Sequence, residues 1–197
     1  SRALVQIFKS GVDIHSETAQ RHNLDRQKAK VLNLSAGYRI TKWGMAHQLG
    51  VSVEEAEKEL RAWWGLWPDL ELWENNLITE ARQTGYTTTL LGRRIYIDNL
   101  NTIDRKLKET AERRVIENQA QGSASEICQL AMIQLYKEGF NIVNQVHDSV
   151  VMEIEDDHVE AGIERAIDIM ENMYPLEVPL KVTAKWGANW GDMEEYK

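Results

Sequence analysis

Residues 140–154, FNIVNQVHDSVVMEI, decide how the rest of this chain is read. In a strand, side chains alternate with period two, so Val143, Gln145 and His147 fall on one side and Ile142, Asn144 and Val146 on the other. Val150, Val151, Met152 and Ile154 supply a second β-prone run, which puts Asp148 at the tip of a hairpin over 140–154. A carboxylate between two such strands is costly to bury and contributes little to packing. It calls for a bound cation or a hydrogen-bonded turn. Aspartate is also a common turn residue, and the His147-Asp148-Ser149 triplet alone favours that plain reading. The remainder of the sequence shifts the balance.

Residues 23–44, NLDRQKAKVLNLSAGYRITKWG, form the second informative stretch. With Asn23 or Asp25 as a cap, Arg26, Lys30, Leu34 and Tyr38 recur every four residues and make one slowly drifting stripe on a helix of about residues 24–44. Ala29, Leu32 and Ala36 face a core. The stripe covers about 18 Å at 1.5 Å rise per residue. Two cations at one end suit a triphosphate, and a ring at the other suits a base. A solvated amphipathic helix would carry the same cations, and the stripe taken alone fits both readings.

Charge is distributed unevenly. The 197 residues carry a formal net charge of -8, which argues against a nucleic-acid partner when taken as a whole. From Arg21 to Gly44, however, six bases face one acid, and from Asp148 to Lys197 thirteen acids face four bases. A basic face can bind phosphate while acids elsewhere keep the chain soluble. No stretch reaches the roughly 18 uninterrupted apolar residues of a membrane helix, and the start lacks the apolar core of a signal peptide. The expectation is a soluble protein of the cytoplasm. Cys128, the one cysteine, sits in an apolar helical pattern and reads as a buried free thiol, which excludes a disulfide framework.

Other segments fix the fold class. A helix closed by Gly11 is followed by a short one capped by Asp13 or Ser16; His15 reads as a capping or core histidine. Ser52 with Glu55 announces a helix to Leu66, and Pro68 opens another that stops at Gly85. Trp63, Trp64, Trp67 and Trp73 crowd that junction as a packing core. Tyr86–Leu91 and Ile95–Ile97 form a hairpin with Arg93 and Arg94 at its tip, suited to a phosphate backbone or simply solvated. A long helix from Asp104 to Glu138 aligns Arg113, Glu117 and Gln121, with residues 121–125 interrupting it with small side chains. An acidic helix over 156–174, a strand over 178–185 and a tail packing Trp186 and Trp190 complete an α+β chain.

These stretches together resemble the C-terminal part of family A DNA polymerases, the polymerase I family, over essentially the whole chain. Arg26-x3-Lys30-x7-Tyr38, with Asn33 between, matches the nucleotide-binding helix of the fingers. Gln145-Val146-His147-Asp148 matches the metal-binding hairpin of the palm. Asp13-Ile14-His15, Thr89-Leu90-Leu91-Gly92-Arg93-Arg94 and Gln121-Gly122-Ser123-Ala124 occur in the family's order.

The resemblance implies a helical fingers subdomain over 1–100, then the C-terminal part of a palm over 101–197 with a long helix and an antiparallel hairpin. It implies template-directed transfer of a nucleotide from dNTP to a primer 3′-hydroxyl, with a pair of Mg²⁺ ions. Asp148 takes the place of a metal aspartate. Arg26 and Lys30 match residues that grip the triphosphate, and Lys30 also the candidate proton donor to pyrophosphate. Tyr38 matches the ring beside the templating base, His147 a contact to the primer terminus, and Arg113 and Gln121 contacts on the minor-groove side of the duplex.

Four departures accompany the match. Leu34 replaces the usual Phe or Tyr of the nucleotide site, Ser149 replaces the Glu after the metal aspartate, and Glu117 replaces an Asn, in a manner closer to phage or viral enzymes. The family's other metal aspartate precedes the segment that begins at Ser1. The expectation is a chain inactive by itself, active with an upstream segment or a partner chain. The alternative is a DNA- or nucleotide-binding module without catalysis.

Overall fold

The computed structural model describes residues 1–197, which fall into two compact units, 1–120 and 121–197. The architecture is α+β, helices with three separate two-stranded antiparallel sheets. No helix is long and apolar enough to cross a membrane.

The first unit opens with α1 (Arg2–Ser10), α2 (Ile14–His22), α3 (Arg26–Ala36), α4 (Lys42–Leu49), α5 (Val53–Leu66) and α6 (Pro68–Thr84). Local sequence sets nearly every boundary. Asp13, Asp25, Thr41 and Ser52 each cap the helix that follows by accepting a backbone N–H, and Ser52 and Glu55 complete a reciprocal capping box. Asn23, a candidate cap for α3, instead closes α2 with φ 52°. The single helix expected over 24–44 is two helices. α3 ends at Ala36, and the chain turns through Gly37, Tyr38 and Arg39 before α4. Periodicity extended the helix too far because Arg39, not a glycine, takes the left-handed position that stops it, at φ 53°.

Leu32, Ala36, Met45, Ala56, Trp63 and Trp67 form the core of these helices, each at most 3% exposed. Burying side chains of that size contributes roughly 1.5–3 kcal/mol each for the larger ones. Trp73, expected among them, is 39% exposed, since it lies on the outer side of α6 next to the buried Glu74. A smaller core joins Ile78 and Ala81 of α6 to Ile97, Leu100, Ala111, Val115 and Ile116. Between them lie β1 (Tyr86–Thr88) and β2 (Arg94–Tyr96), paired Tyr86 to Tyr96.

α7 (Arg105–Lys137) is one unbroken helix, and residues 121–125 do not interrupt it. A lone glycine inside a helix costs only about 1 kcal/mol relative to alanine, too little to break 33 residues. The second unit contains its C-terminal part, then β3 (Asn141–Val146), β4 (Ser149–Glu153), a 3-10 turn at Asp156–His158 and α8 (Val159–Asn172). Leu135, Ala166 and Ile169 are its buried centre, with Phe140, Ile142, Val150, Met152 and Met170 against them. The strand expected at 178–185 is reduced to β5 (Lys185–Trp186), paired with β6 (Glu194–Glu195). Trp186 and Trp190 are 49% and 58% exposed, so the tail does not bury them as expected. Pro179 withholds a backbone N–H group from that stretch.

Candidate functional site

In the first unit the exposed face of α3 carries Arg26, Lys30 and Leu34, while Ala29, Leu32 and Ala36 on the opposite face are fully buried. The burial fixes the helix and so fixes where the two cations project. Arg26 is held by Asp13: Nε donates to Oδ2 at 2.8 Å and a terminal nitrogen to Oδ1 at 3.2 Å. Both groups are solvent-accessible, and the pair holds the Asp13 carboxyl well below the usual carboxylate range, the Arg26 hydrogen bond being the largest cause and Ser16 the next. Lys30 is exposed and pairs with no acid. Leu34 is 51% exposed, an apolar side chain at the edge of a cationic face. Tyr38 follows in the turn after α3, half-buried and so beyond the helix expected to carry it.

Asn33 organises the interior of this region. Its Oδ1 accepts from Trp63 Nε1 at 2.7 Å and from the Thr18 hydroxyl at 3.1 Å, and its Nδ2 lies 3.1 Å from His15 Nδ1. One amide thereby ties α2 and α5 to α3, and His15 has a structural partner as expected. A half-buried amide with both ends engaged is costly to replace.

Arg93 and Arg94 do not share a tip. Arg93 closes the turn, accepting Thr89 N–H at 2.9 Å, whereas Arg94 is in β2 opposite Thr88. The Arg94 guanidinium lies 4.9 Å from the Tyr86 ring centroid, a cation–π contact that the alternation of Tyr86 and Tyr96 could have signalled. Arg113 and Gln121 are both on α7; Arg113 is half-buried, with a 3.5 Å contact to the Thr110 hydroxyl, and Gln121 is exposed. They belong to different units.

In the second unit Val146 pairs with Ser149, leaving His147 and Asp148 as a two-residue turn. His147 has φ 56°, an uncommon conformation for a residue other than glycine. The turn is held from one side: Gln145 Nε2 donates to His147 O at 3.0 Å and to Cys128 Sγ at 3.6 Å, and the Cys128 thiol approaches Asp148 O at 3.9 Å. Burial, and then the Asp148 charge, push the Cys128 thiol up. The Asp148 carboxylate itself is exposed and accepts no hydrogen bond from the chain. Strict alternation along β3 fails because the register shifts between Ile142 and Asn144, a bulge that leaves Val143 unpaired.

An unpartnered carboxylate on a held turn offers one hard oxygen ligand, which fits one corner of a Mg²⁺ site. A two-metal centre needs more. Glu153 is at the far end of the hairpin and accepts from Asn141 Nδ2 at 2.8 Å. Glu155, Asp157 and His158 could converge on a cation, but all three are exposed, at the 3-10 turn or just before it, and none is Asp148. Sequence reasoning missed Asp13 as the counterion of Arg26, and it missed Glu74. Glu74 is 1% exposed and pairs with Arg39 across 35 positions, and no local pattern announces it.

The family described as DNA polymerase family A matches residues 1–192. Thermostable DNA polymerase I of Thermus filiformis is 33% identical over 95% of the chain, and that of Thermus aquaticus 32% over 98%. DNA polymerase I of Mycobacterium bovis is 33% identical over 95%. The chain covers 24%, 25% and 22% of these relatives, about a quarter of their length. Among solved structures, the POL domain of Pol1 from M. smegmatis, in complex with DNA primer-template and dNTP, superposes with a TM-score of 0.83 at 30% identity. That match covers 90% of this chain and 34% of the other.

Proposed function

The chain belongs to DNA polymerase family A, and from that premise we propose that it takes part in template-directed DNA synthesis, transferring a nucleotide from dNTP to a primer 3′-hydroxyl. Residues 1–100 serve as the fingers and 101–197 as the C-terminal part of the palm. The observation that carries the reading is the Asp148 carboxylate, presented without a partner on a turn that Gln145 and Cys128 hold in place. A carboxylate so placed contributes nothing to stability and is free to ligate.

On this proposal Arg26 and Lys30 neutralise the triphosphate from the exposed face of α3, and Lys30 donates a proton to the departing pyrophosphate. Tyr38 stands beside the templating base and Leu34 borders the sugar. His147 contacts the primer terminus, Arg113 and Gln121 the minor-groove side of the duplex, and Arg93 and Arg94 its phosphates. Bound at Asp148, Mg²⁺ would supply charge neutralisation and activation of the primer hydroxyl. The chain's own groups position and neutralise, the main protein contribution to phosphoryl transfer.

A second carboxylate is needed, and we propose that an upstream polypeptide supplies it, so that the chain alone is inactive. Support comes from the single aspartate at the hairpin, which offers one carboxylate where a two-metal centre needs more. The protein would work on DNA in the cytoplasm of a bacterial or phage-infected cell. That same single aspartate favours a second reading, a DNA- or nucleotide-binding module without turnover. Primer extension with dNTPs and Mg²⁺, by the chain alone and with the polypeptide encoded immediately upstream, separates the readings. Extension only in the mixture is expected. Extension by the chain alone would overturn the need for a second carboxylate from outside, and tight primer-template binding that persists in chelator with no extension in either sample would favour the binding module.

A further inference from the structure

Tyr38 owes its position to a turn that is stabilised in an unusual way. Arg39 N–H donates to Ala36 O at 2.9 Å and Ile40 N–H to Ser35 O at 3.1 Å, a Schellman-type ending that needs a left-handed residue between them. Glycine meets that need without cost, whereas Arg39, at φ 53°, does not. Its side chain reaches α6 instead: Nε donates to Glu74 Oε2 and a terminal nitrogen to Asn75 Oδ1, each at 2.6 Å. Glu74 is 1% exposed, and its Oε1 has no partner. Burial pushes this carboxyl up, with Arg39 pulling the other way.

A buried carboxylate left half-satisfied is an expensive way to fasten the turn after α3 to α6. Such a device earns its place where it fixes a conformation that the backbone would otherwise leave. The residue immediately before Arg39 is Tyr38, and the peptide between them sets the direction of the ring.

We propose that Arg39 and Glu74 are positioning residues for Tyr38, holding its ring where, on the proposed function above, it meets the templating base. Neither touches substrate, and both act through the turn. Loss of the pair frees the turn and so blurs recognition of the template base while leaving the helices folded.

The test uses the full chain with three variants. Arg39→Gly keeps the left-handed turn and removes the anchor. Glu74→Gln keeps size and removes charge. The double variant Arg39→Gly with Glu74→Leu removes the pair without stranding a buried charge, so it folds even if the single variants do not. Amide hydrogen exchange at Arg39 and Ile40 reads the turn, and 2-aminopurine at the templating position of a bound primer-template reads the ring, with Tyr38→Ala as reference. In the double variant, exchange at both amides should rise roughly tenfold and the 2-aminopurine response should fall to the Tyr38→Ala level. Unchanged exchange, or faster exchange with a wild-type 2-aminopurine response, would overturn the positioning role. Equal responses from wild type and Tyr38→Ala would overturn the assignment of Tyr38 to the template base, and the positioning role with it, whatever the exchange shows.

Discussion

The Asp13 carboxylate serves two helices at once: Oδ2 caps α2 by accepting Ser16 N–H at 2.9 Å, and it also receives Arg26 Nε of α3 at 2.8 Å. A cation assigned to the triphosphate is thus already satisfied by the protein. On the proposed function, incoming phosphate has to displace this carboxylate, which the Arg26 and Ser16 hydrogen bonds hold well below the usual carboxylate range and so ionised. Asp13→Asn keeps the cap, since asparagine caps as well as aspartate, and removes the competing charge. Affinity for dNTP, measured by equilibrium titration, should increase by up to about fivefold, as expected for relief of an exposed charge pair. Unchanged affinity would show that Arg26 does not reach the phosphates.

Asp148→Ala removes a side chain with no partner in the fold. Thermal unfolding should therefore shift by no more than about 0.5 kcal/mol, as for an unengaged surface residue. Extension by the complemented enzyme should vanish. Retained turnover would exclude Asp148 as the metal ligand. Lys30→Ala belongs beside it, with nucleotide use weakened far more than DNA binding; equal losses in both would place Lys30 on the DNA.

Two leucines on α3 separate packing from surface chemistry. Leu32 is fully buried and Leu34 is 51% exposed. Leu32→Ala should cost about 2–5 kcal/mol through lost transfer energy and the cavity left behind. Leu34→Ala should cost less than about 1 kcal/mol, the range of substitutions outside the core. Chemical denaturation of both variants checks the difference, and similar losses would mean that Leu34 is packed rather than available to a nucleotide.

Glu74 gives the protein a pH dependence of definite sign. Its carboxyl is raised in the folded state, so its contribution to stability is fully present below the unfolded value and is lost as pH rises through the folded one. Glu74→Gln does not titrate. The stability of the variant relative to wild type should therefore climb as pH is raised from 4 towards neutrality, read as the difference between two unfolding midpoints across that range. A difference that stays flat would mean that Arg39 fully compensates the burial.

Helix starts were legible because they are local: Asp13, Asp25, Ser52 and Pro68 act within three residues of themselves. The hairpin at Asp148 and the cationic face of α3 followed from periodicity for the same reason. What escaped was non-local or exceptional in conformation. Arg39 stops a helix in a role that glycine usually plays, and its partner Glu74 is 35 positions away. The bulge at Val143 shifts a register that strict alternation would have kept, and Trp73 follows a tryptophan cluster in sequence without joining it in space. The counterion of Arg26 belonged to the same class, since pairing across 13 residues depends on how α2 docks on α3.

The β3–β4 hairpin has one further consequence. It forms a sheet of only two strands, so each strand keeps one open edge, and Val143 and Val146 stand 50% and 39% exposed along it. Open, apolar strand edges template the addition of further strands from neighbouring molecules. In concentrated solution the isolated chain should self-associate through this hairpin, and a lysine at Val143, where the bulge already removes a ladder position, is the substitution that would keep it dispersed.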